Sequence, residues 1–315
     1  MKISIIAPFY NEAESIDDFF QRVIPTVVSL DCEYEVICIN DGSTDETLAG
    51  LRRWKEKNSQ IKVINLSRNF GKESALTAGL DVAAGDVVIP IDSDLQDPPE
   101  LIPEMLAKWR EGYDVVYAKR VKRKTDTYLK RWSALGFYRL FNWITDTQIP
   151  HNTGDFRLLD KKVVRAVRSL GERTRFMKGI FAWVGFRQIA VEYERPMREH
   201  GAASLHFRNL WRLAVDGITS FSTLPLRVWS YIGLSIALFA FVYGVIILVK
   251  TLIFGIDLPG YASTLVVILF LGGIQLISLG VIGEYIGRIF YEIKGRPNYI
   301  IDEDNDEPRS IDRSE

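Results

Sequence analysis

The stretch Val87-Val88-Ile89-Pro90-Ile91-Asp92-Ser93-Asp94-Leu95-Gln96 decides the fold. Val87–Asp92 is an apolar run without period-two alternation, the pattern of a strand covered on both faces in a parallel sheet. Ile3–Ala7, Tyr34–Asn40, Lys62–Asn65 and Asp114–Lys119 are similarly rich in Val and Ile and read as further strands. Between them lie helix-start signals: Asn11-Glu12-Ala13-Glu14 and Ser43-Thr44-Asp45-Glu46 are patterned as capping boxes. Strands alternating with helices predict a doubly wound α/β fold. In such folds ligands bind beyond the carboxyl ends of the strands, so the strand-end sequences carry the functional reading.

Asp92 and Asp94 stand one residue apart at the end of the fourth strand. In an extended segment the two carboxylates point the same way, and like charges that close repel unless a cation sits beside them. A hard divalent cation, Mg²⁺ or Mn²⁺, prefers such oxygen ligands and keeps positions open for phosphate. Asp-x-Asp by itself arises in surface loops by chance, but here Pro98-Pro99-Glu100 follows and opens a helix. Pro8–Glu12 ends the first strand and Asn40–Asp45 the second. Tyr10 could stack on a base and Asp41 could accept hydrogen bonds from a base or ribose, while Asp41-Gly42-Ser43 is equally a tight turn with an N-cap. Lys72, in Arg68-Asn69-Phe70-Gly71-Lys72 after the third strand, could reach a diphosphate.

The chain has 315 residues and a formal net charge of −1, which argues against a nucleic-acid binder working by bulk electrostatics. Cys32 and Cys38 are too few for a disulfide framework and have no Cys/His cluster beside them, so reduced thiols on one strand face are expected. The apolar stretch after Met1-Lys2 is too short for a signal-peptide core, which predicts a buried N-terminal strand in the cytoplasm. His151, His200 and His206 lack metal-ligand spacing. The basic run from Lys122 to Arg131 is either a solvated face or a site for an anionic ligand or lipid headgroup.

The second half changes character. Over 205–227, Phe207, Leu210, Trp211, Ala214, Ile218 and Phe221 recur at helical spacing, with Arg208, Arg212 and Asp216 on the other side. This is an amphipathic helix, packed on a soluble core or lying in a membrane interface. Trp229–Val249 and Tyr261–Ile282 are uncharged and long enough to cross a bilayer, and Gly272, Gly273 and Gly280 suit close helix contacts, which permits a homo-oligomer. Arg208, Arg212 and Arg227 before the first run and Arg288, Lys294 and Arg296 after the second place both flanks, and so both termini, in the cytoplasm. The expected organisation is a catalytic domain over 1–204, the amphipathic helix, a two-helix hairpin over 228–290 in the inner (plasma) membrane, and a tail over 291–315 that turns acidic and polar after Asp302.

Pro8–Glu12, Asn40–Asp45, Arg68–Leu76, Asp92–Glu100 and Gly154-Asp155-Phe156-Arg157-Leu158 resemble the motifs of family 2 inverting glycosyltransferases with a GT-A fold. Gly283-Glu284-Tyr285-Ile286-Gly287-Arg288, followed by Lys294-Gly295-Arg296-Pro297, is similar to the GtrB-like group of polyprenyl-phosphate glycosyltransferases, which stands close to the dolichol-phosphate mannose synthases. The resemblance implies that Asp92 and Ser93 contact a nucleotide-sugar and that Asp94 ligates Mg²⁺ or Mn²⁺ with Gln96. It places Pro8, Tyr10, Glu12, Asp41 and Lys72 around the donor and Asp155 near the acceptor. Arg198-Glu199-His200-Gly201 is similar to a phosphate-clamping loop of relatives, but Ala202-Ala203-Ser204 lacks the Lys that usually follows. The acceptor-phosphate candidates are therefore Arg120, Arg131, Arg198, Arg208 and Arg212, with Lys119 and Arg195 beside them.

The implied reaction is inverting transfer of a hexose, glucose from UDP-glucose, to polyprenyl (undecaprenyl) phosphate at the cytoplasmic face, with GDP-mannose-dependent mannosyl transfer as the alternative. Asp155, Asp94 and Arg198 are the catalytic candidates. A lipid phosphate is already ionised near neutral pH (second pKa roughly 6) and needs a general base less than a hydroxyl does. Asp155 is thus expected to orient the acceptor or its counter-charges, with base catalysis second. Trp132 resembles part of the Gln-x-x-Arg-Trp motif of processive synthases, but Tyr128 stands at the Gln position and the segment precedes Asp155. Two spans are also too few for a polymer channel within one chain. A non-enzymatic membrane scaffold is disfavoured by Asp92, Asp94 and Asp155 together.

Overall fold

A computed structural model of the chain describes residues 1–120, 153–173, 175–193, 224–254 and 260–302. Seven strands form one sheet: β1 (Lys2–Phe9), β2 (Glu33–Asn40), β3 (Ile61–Asn65), β4 (Val87–Pro90), β5 (Val115–Arg120), β6 (Thr153–Asp160) and β7 (Gln188–Tyr193). Their order is β3-β2-β1-β4-β6-β5-β7. β3, β2, β1 and β4 pair in parallel, and β5 pairs in parallel with β7. The five strands read from the sequence are all present, with ends shifted by no more than two residues.

The doubly wound expectation holds for β1 to β4 and is interrupted beyond them. β6 inserts between β4 and β5 and runs antiparallel to both. Its first residues therefore lie at the same sheet edge as the carboxyl ends of β1 and β4, between which the strand order reverses. That is the crevice where open α/β sheets bind ligands.

Helices cover both faces. On one side α1 (Ile16–Val28) and α4 (Ile102–Arg110, led by a 3₁₀ turn at Pro99–Leu101) press Phe19, Phe20, Val23, Met105 and Leu106 onto Ile3, Ile5, Ala7, Val36 and Cys38. On the other, α3 (Lys72–Val82), α5 (Lys161–Ser169) and α6 (Met177–Trp183) set Leu76, Leu80, Val163, Val167 and Phe181 against Ile6, Ile37, Ile39 and Leu159. Alternate strand residues feed opposite layers, as the pleat requires, and full burial stabilises each large side chain by about 1.5–3 kcal/mol. Gly79 lets α3 approach β1: a Cβ there would fall 2.3 Å from Ile6 Cγ2. Cys38 is buried in the core and Cys32 is partly buried at its margin, both as free thiols.

Both capping-box helices start later than the sequence suggests, α1 at Ile16 and α2 (Thr47–Lys57) at Thr47. The polar residues are bound elsewhere. Asn11 N donates to Ser43 Oγ at 3.0 Å and Thr44 N to Asn11 Oδ1 at 2.9 Å, which laces the loop after β1 to the loop after β2. Asp45, not Ser43, accepts the Thr47 amide, at 3.0 Å.

α7 (Leu224–Phe254) and α8 (Tyr261–Ile293) span 31 and 33 residues. At about 1.5 Å per residue each is longer than a bilayer's hydrocarbon core. They extend past the expected uncharged runs, and their most apolar windows are Val228–Ile246 and Phe270–Ile293. Leu238, Phe239, Phe241, Leu276 and Leu279 are exposed on them. Both helices are long and apolar enough to cross a membrane, and the hairpin associates the chain with one. Of the expected amphipathic segment, residues 205–223 lie outside the described residues, and 224–227 form the first turn of α7.

Candidate active site

The carboxyl ends of the strands converge as expected. Asp41, almost fully buried after β2, accepts the amides of Phe70 at 2.7 Å and Gly71 at 2.9 Å. It thereby fixes the entry to α3, where Lys72 is the first residue. Burial pushes the Asp41 carboxyl up from its ordinary value, against those two amides and Arg68. Gly42 adopts a φ of +63°, and a Cβ there would meet Arg68 C at 2.3 Å. The loops after β2 and β3 thus touch backbone to backbone, a contact and a conformation open to glycine. Tyr10 is exposed beside them, Pro8 is half-buried in β1, and the Glu12 carboxylate accepts from Ser15 Oγ at 3.0 Å.

The Asp92–Asp94 pair is not in an extended segment. β4 ends at Pro90, a turn closes with Leu95 N donating to Asp92 O at 3.3 Å, and Leu95 takes a φ of +49°. The two carboxylates consequently part company. Asp94 is exposed and accepts from Gln96 N at 3.2 Å, whereas Asp92 turns inward to Lys72 Nζ at 2.7 Å. Ser93 between them is buried.

Lys72 is the centre of the site. Its Nζ also lies 2.6 Å from Asp155 Oδ2. The register of β4 on β6 pairs Val87 with Asp160 and Val88 with Leu159, and carried on along both chains it sets Asp92 opposite Asp155. One ammonium therefore ties Asp92 to Asp155. Burial works against the Lys72 charge, but Asp155 and Asp92 outweigh it and hold its pKa above the ordinary value. For Asp155 burial is likewise outweighed, by Lys72 and then Lys178, and its pKa falls to about 2. Asp92 goes the other way: burial raises it beyond what Lys72 offsets.

Several members of this cluster carried no role in the sequence reading. Glu73, next to Lys72, accepts the Met177 amide at the start of α6 at 3.1 Å and is pushed up to about 7 by burial and by Asp155. Arg157 is buried against the Phe181 ring at 4.4 Å, donates to Gly154 O at 2.9 Å, and burial lowers its pKa to about 10. The signal for both was position, since they adjoin Lys72 and Asp155 in motifs already singled out. Asp97 is buried and accepts from Arg120 Nη2 at 3.2 Å and from the Tyr193 hydroxyl. This contact pins the Asp92–Gln96 turn to the carboxyl ends of β5 and β7. Arg120, a phosphate candidate, is committed here to Asp97 and, at 2.9 Å, Tyr193 Oη; Lys119 pairs with Glu192 at 2.8 Å. Arg131, Arg195, Arg198, Arg208 and Arg212 lie outside the described residues.

Among the described residues no three His, Cys, Asp or Glu side chains converge to hold a metal by themselves. The donor set nonetheless fits a hard cation. Asp94 offers an exposed carboxylate, and Gln96 Oε1 is a buried oxygen with no hydrogen-bond partner. Mg²⁺ in particular is held through one or two such ligands with substrate phosphates completing its shell. Asp155 Oδ1 is a second buried oxygen without a partner.

Two family models match the sequence: Glycosyl transferase family 2 over residues 4–168 and the GtrB C-terminal hairpin over residues 224–289. The chain is a family 2 glycosyltransferase. An uncharacterized glycosyltransferase of Synechocystis is 54% identical to this glycosyltransferase over 301 residues, 96% of this chain and 95% of its own. A bactoprenol glucosyl transferase of Shigella phage SfII is 50% identical over 301 residues, 96% of this chain and 97% of its own. A prophage bactoprenol glucosyl transferase homolog of Escherichia coli is also 50% identical, with 96% and 98% covered. Among solved structures, mannosyl-3-phosphoglycerate synthase from Rubrobacter xylanophilus matches with a TM-score of 0.47 at 17% identity, covering 69% of this chain and 71% of that one.

Proposed function

We propose that this glycosyltransferase moves glucose from UDP-glucose onto an undecaprenyl-type polyprenyl phosphate, with inversion at the anomeric carbon, on the cytoplasmic side of the membrane. The observation that carries the reading is the Lys72 ammonium clasped between Asp92 and Asp155 at the reversal of strand order. It sits at the end of a catalytic sheet whose chain continues into a lipid-facing hairpin. The names of the phage and Escherichia coli relatives supply the glucose and the bactoprenol, and the basic flanks of the hairpin supply the sidedness.

The roles follow from the charges. Asp41, Tyr10, Pro8, Glu12 and Ser93 line the nucleotide side. A divalent cation held by Asp94 with Gln96 supplies positive charge to the leaving diphosphate when bound. On the protein side Lys72 presents a fixed cation where the donor's anomeric carbon and the acceptor phosphate meet. An acceptor phosphate oxygen forms the new bond to that carbon as the bond to UDP breaks, its electron pair leaving with the diphosphate. No proton has to move if the phosphate arrives ionised. A group with a pKa of about 2 is a poor proton acceptor at neutral pH, which favours Asp155 as the anchor that orients Lys72 over Asp155 as a base. The acceptor phosphate is assigned to Arg198 with Arg131, Arg208 and Arg212, while Arg120 acts through Asp97.

The test is a donor panel. Full-length protein in lipid nanodiscs containing undecaprenyl phosphate is given UDP-glucose, UDP-galactose, UDP-N-acetylglucosamine or GDP-mannose, and both the nucleotide released and the lipid product are measured. UDP release with a glucosyl phospholipid is expected. Preferential GDP release with a mannosyl lipid sinks the glucose assignment, and UDP release without a lipid product sinks the acceptor assignment.

A further inference from the structure

β3 is an outer strand of the sheet, and an outer strand leaves a row of unpaired amides and carbonyls that proteins cover or blunt. Here a later segment of the chain pairs with the end of it, at Asn65–Ser67. After α8 closes at Ile293 the backbone returns to the sheet: Ser67 N donates to Ile300 O at 2.9 Å, Asp302 N donates to Asn65 O at 2.8 Å, and Leu66 and Ile301 form an antiparallel bridge between them. Tyr299 and Ile301 pack against the layer that contains Ile64, Leu66, Leu76 and Leu80. The Tyr299 hydroxyl donates to Asp81 Oδ2 of α3 at 2.9 Å. Before the acidic tail that follows Asp302, the segment Ile300–Asp302 thus makes an isolated antiparallel bridge beside the end of β3.

The returning segment ends in a polar relay. Asp302 Oδ2 accepts from Asn65 Nδ2 at 3.2 Å, Asn65 Oδ1 accepts from the buried Asn40 Nδ2 at 2.7 Å, and Asn40 Oδ1 accepts from Ser43 N at 3.4 Å. Asn40 is joined covalently to Asp41, the residue that fixes Phe70, Gly71 and so Lys72. At the other end α8 itself is tied to the sheet domain, because the Glu292 carboxylate near its end accepts the Arg173 amide, between α5 and α6, at 3.0 Å. Only Lys294-Gly295-Arg296-Pro297 separates α8 from the returning segment, a reach of about 3.5 Å per residue at most.

We infer that Asp302, through Asn65 and Asn40, is a positioning residue for the nucleotide loop Asp41–Ser43, and that the segment carrying it couples the second membrane helix to the donor pocket. The inference rests on the donor assignment of that loop. Two side-chain amides between two backbone segments have more than one hydrogen-bonding arrangement, and the Asp302 carboxylate, an acceptor only, selects the one that turns Asn40 Oδ1 towards Ser43.

Full-length Asp302→Ala, Asp302→Asn, Asn65→Ala and the Asn65→Ala/Asp302→Ala double variant are assayed in nanodiscs with UDP-glucose and undecaprenyl phosphate. We expect Asp302→Ala to raise the donor KM roughly three- to tenfold, the effect of one lost ordinary hydrogen bond at an exposed position, with kcat and the acceptor KM within twofold of wild type. Asp302→Asn keeps an acceptor oxygen and restores the donor KM, and the double variant is no worse than the poorer single one. An unchanged donor KM in Asp302→Ala, or an equal rise in both substrates' KM, overturns the inference, since a merely structural segment lowers the melting temperature without that split. If Asp302→Ala does not fold, hydrogen exchange on wild type decides: the Ser67 and Asp302 amides should slow together on adding UDP, and tail exchange indifferent to UDP overturns the coupling. Asp41→Asn is the control. If wild type fails to bind UDP the donor reading is wrong, and the Asp302 variants are then scored on whichever nucleotide the donor panel selects.

Discussion

Replacing Lys72 with methionine keeps the stem and removes the ammonium that two carboxylates share. Both Asp92 Oδ1 and Asp155 Oδ2 lie within 2.7 Å of Nζ, so the two oxygens are at most about 5 Å apart. Two negative charges at that distance repel by about 3 kcal/mol at an effective dielectric of ~20. Lys72 leaves 43% of its side chain exposed, and water entering from that side cuts the figure to ~1.5–2 kcal/mol, which is still more than one pK unit. The Asp155 carboxyl, held at about 2 by a field in which Lys72 is the largest favourable contribution, should then titrate in or above the ordinary carboxylate range. Loss of a preorganised cation at developing negative charge typically costs 10²–10³ in kcat. The assay is UDP release from UDP-glucose with undecaprenyl phosphate in nanodiscs, across pH 5–9, for wild type, Lys72→Met and Lys72→Arg. We expect Lys72→Met to lose at least 10² in kcat at neutral pH and to gain an acid limb absent from wild type, with Lys72→Arg in between. A Lys72→Met enzyme within threefold of wild-type kcat and with an unshifted pH profile refutes the central place given to this ammonium.

Asp94→Asn should abolish transfer in both Mg²⁺ and Mn²⁺ with an unchanged melting temperature, because Asp94 is exposed; wild-type-like turnover in either metal removes it from the metal site. Gly42→Ala forces a side chain into a left-handed conformation costing ~1–2 kcal/mol and against Arg68 backbone, so UDP affinity measured by calorimetry should fall at least fivefold, and an unchanged affinity would mean the two loops can separate freely. Glu73, raised from 4.5 to about 7, binds more protons folded than unfolded between those values. Its stabilising contribution is therefore complete below about pH 4.5 and is lost as pH rises through about 7. Glu73→Gln should flatten the fall in melting temperature between pH 5 and 8, and an identical slope in the variant would place that titration elsewhere.

The first four strands and the loops at their ends were legible because each is local: a Val/Ile run fixes a buried strand, and the polar residues that follow must emerge at its carboxyl end. The hairpin was legible for the same reason. β6 was not, because nothing within Thr153–Asp160 announces that its partners are β4 and β5, the nearer of which ends more than thirty residues upstream. Its motif was recognised as chemistry and its strand character missed, and with it the contact of Asp155 with Asp92 through Lys72. The expectation of an extended Asp92–Asp94 segment did not hold, because the chain turns after Pro90, with Leu95 N donating to Asp92 O at 3.3 Å, and one carboxylate meets Lys72 while the other is exposed. Helix starts slipped because Asn11 and Ser43 bind one another rather than their own helices, a competition visible only once the two loops are adjacent. The pairing of Ile300–Asp302 with Asn65–Ser67 was not legible either, since Asp302 is exposed and acidic whether or not its backbone is paired.

The polarity of the sheet has one more consequence. With β6 alone reversed, the carboxyl ends of the other six strands and the beginning of β6 all open on a single edge. The opposite edge holds contacts of frame type, such as Lys2 N with Asp86 and the Lys161 amide with Asp86 O. Change can therefore accumulate on one rim without disturbing the other. On the function proposed above, a descendant could acquire a different sugar through the loops after β1 to β4 while the frame at the other edge stays as it is. Such a change would be an independent inheritance on an unaltered frame, which makes the fold a ready source of new donor–acceptor pairings.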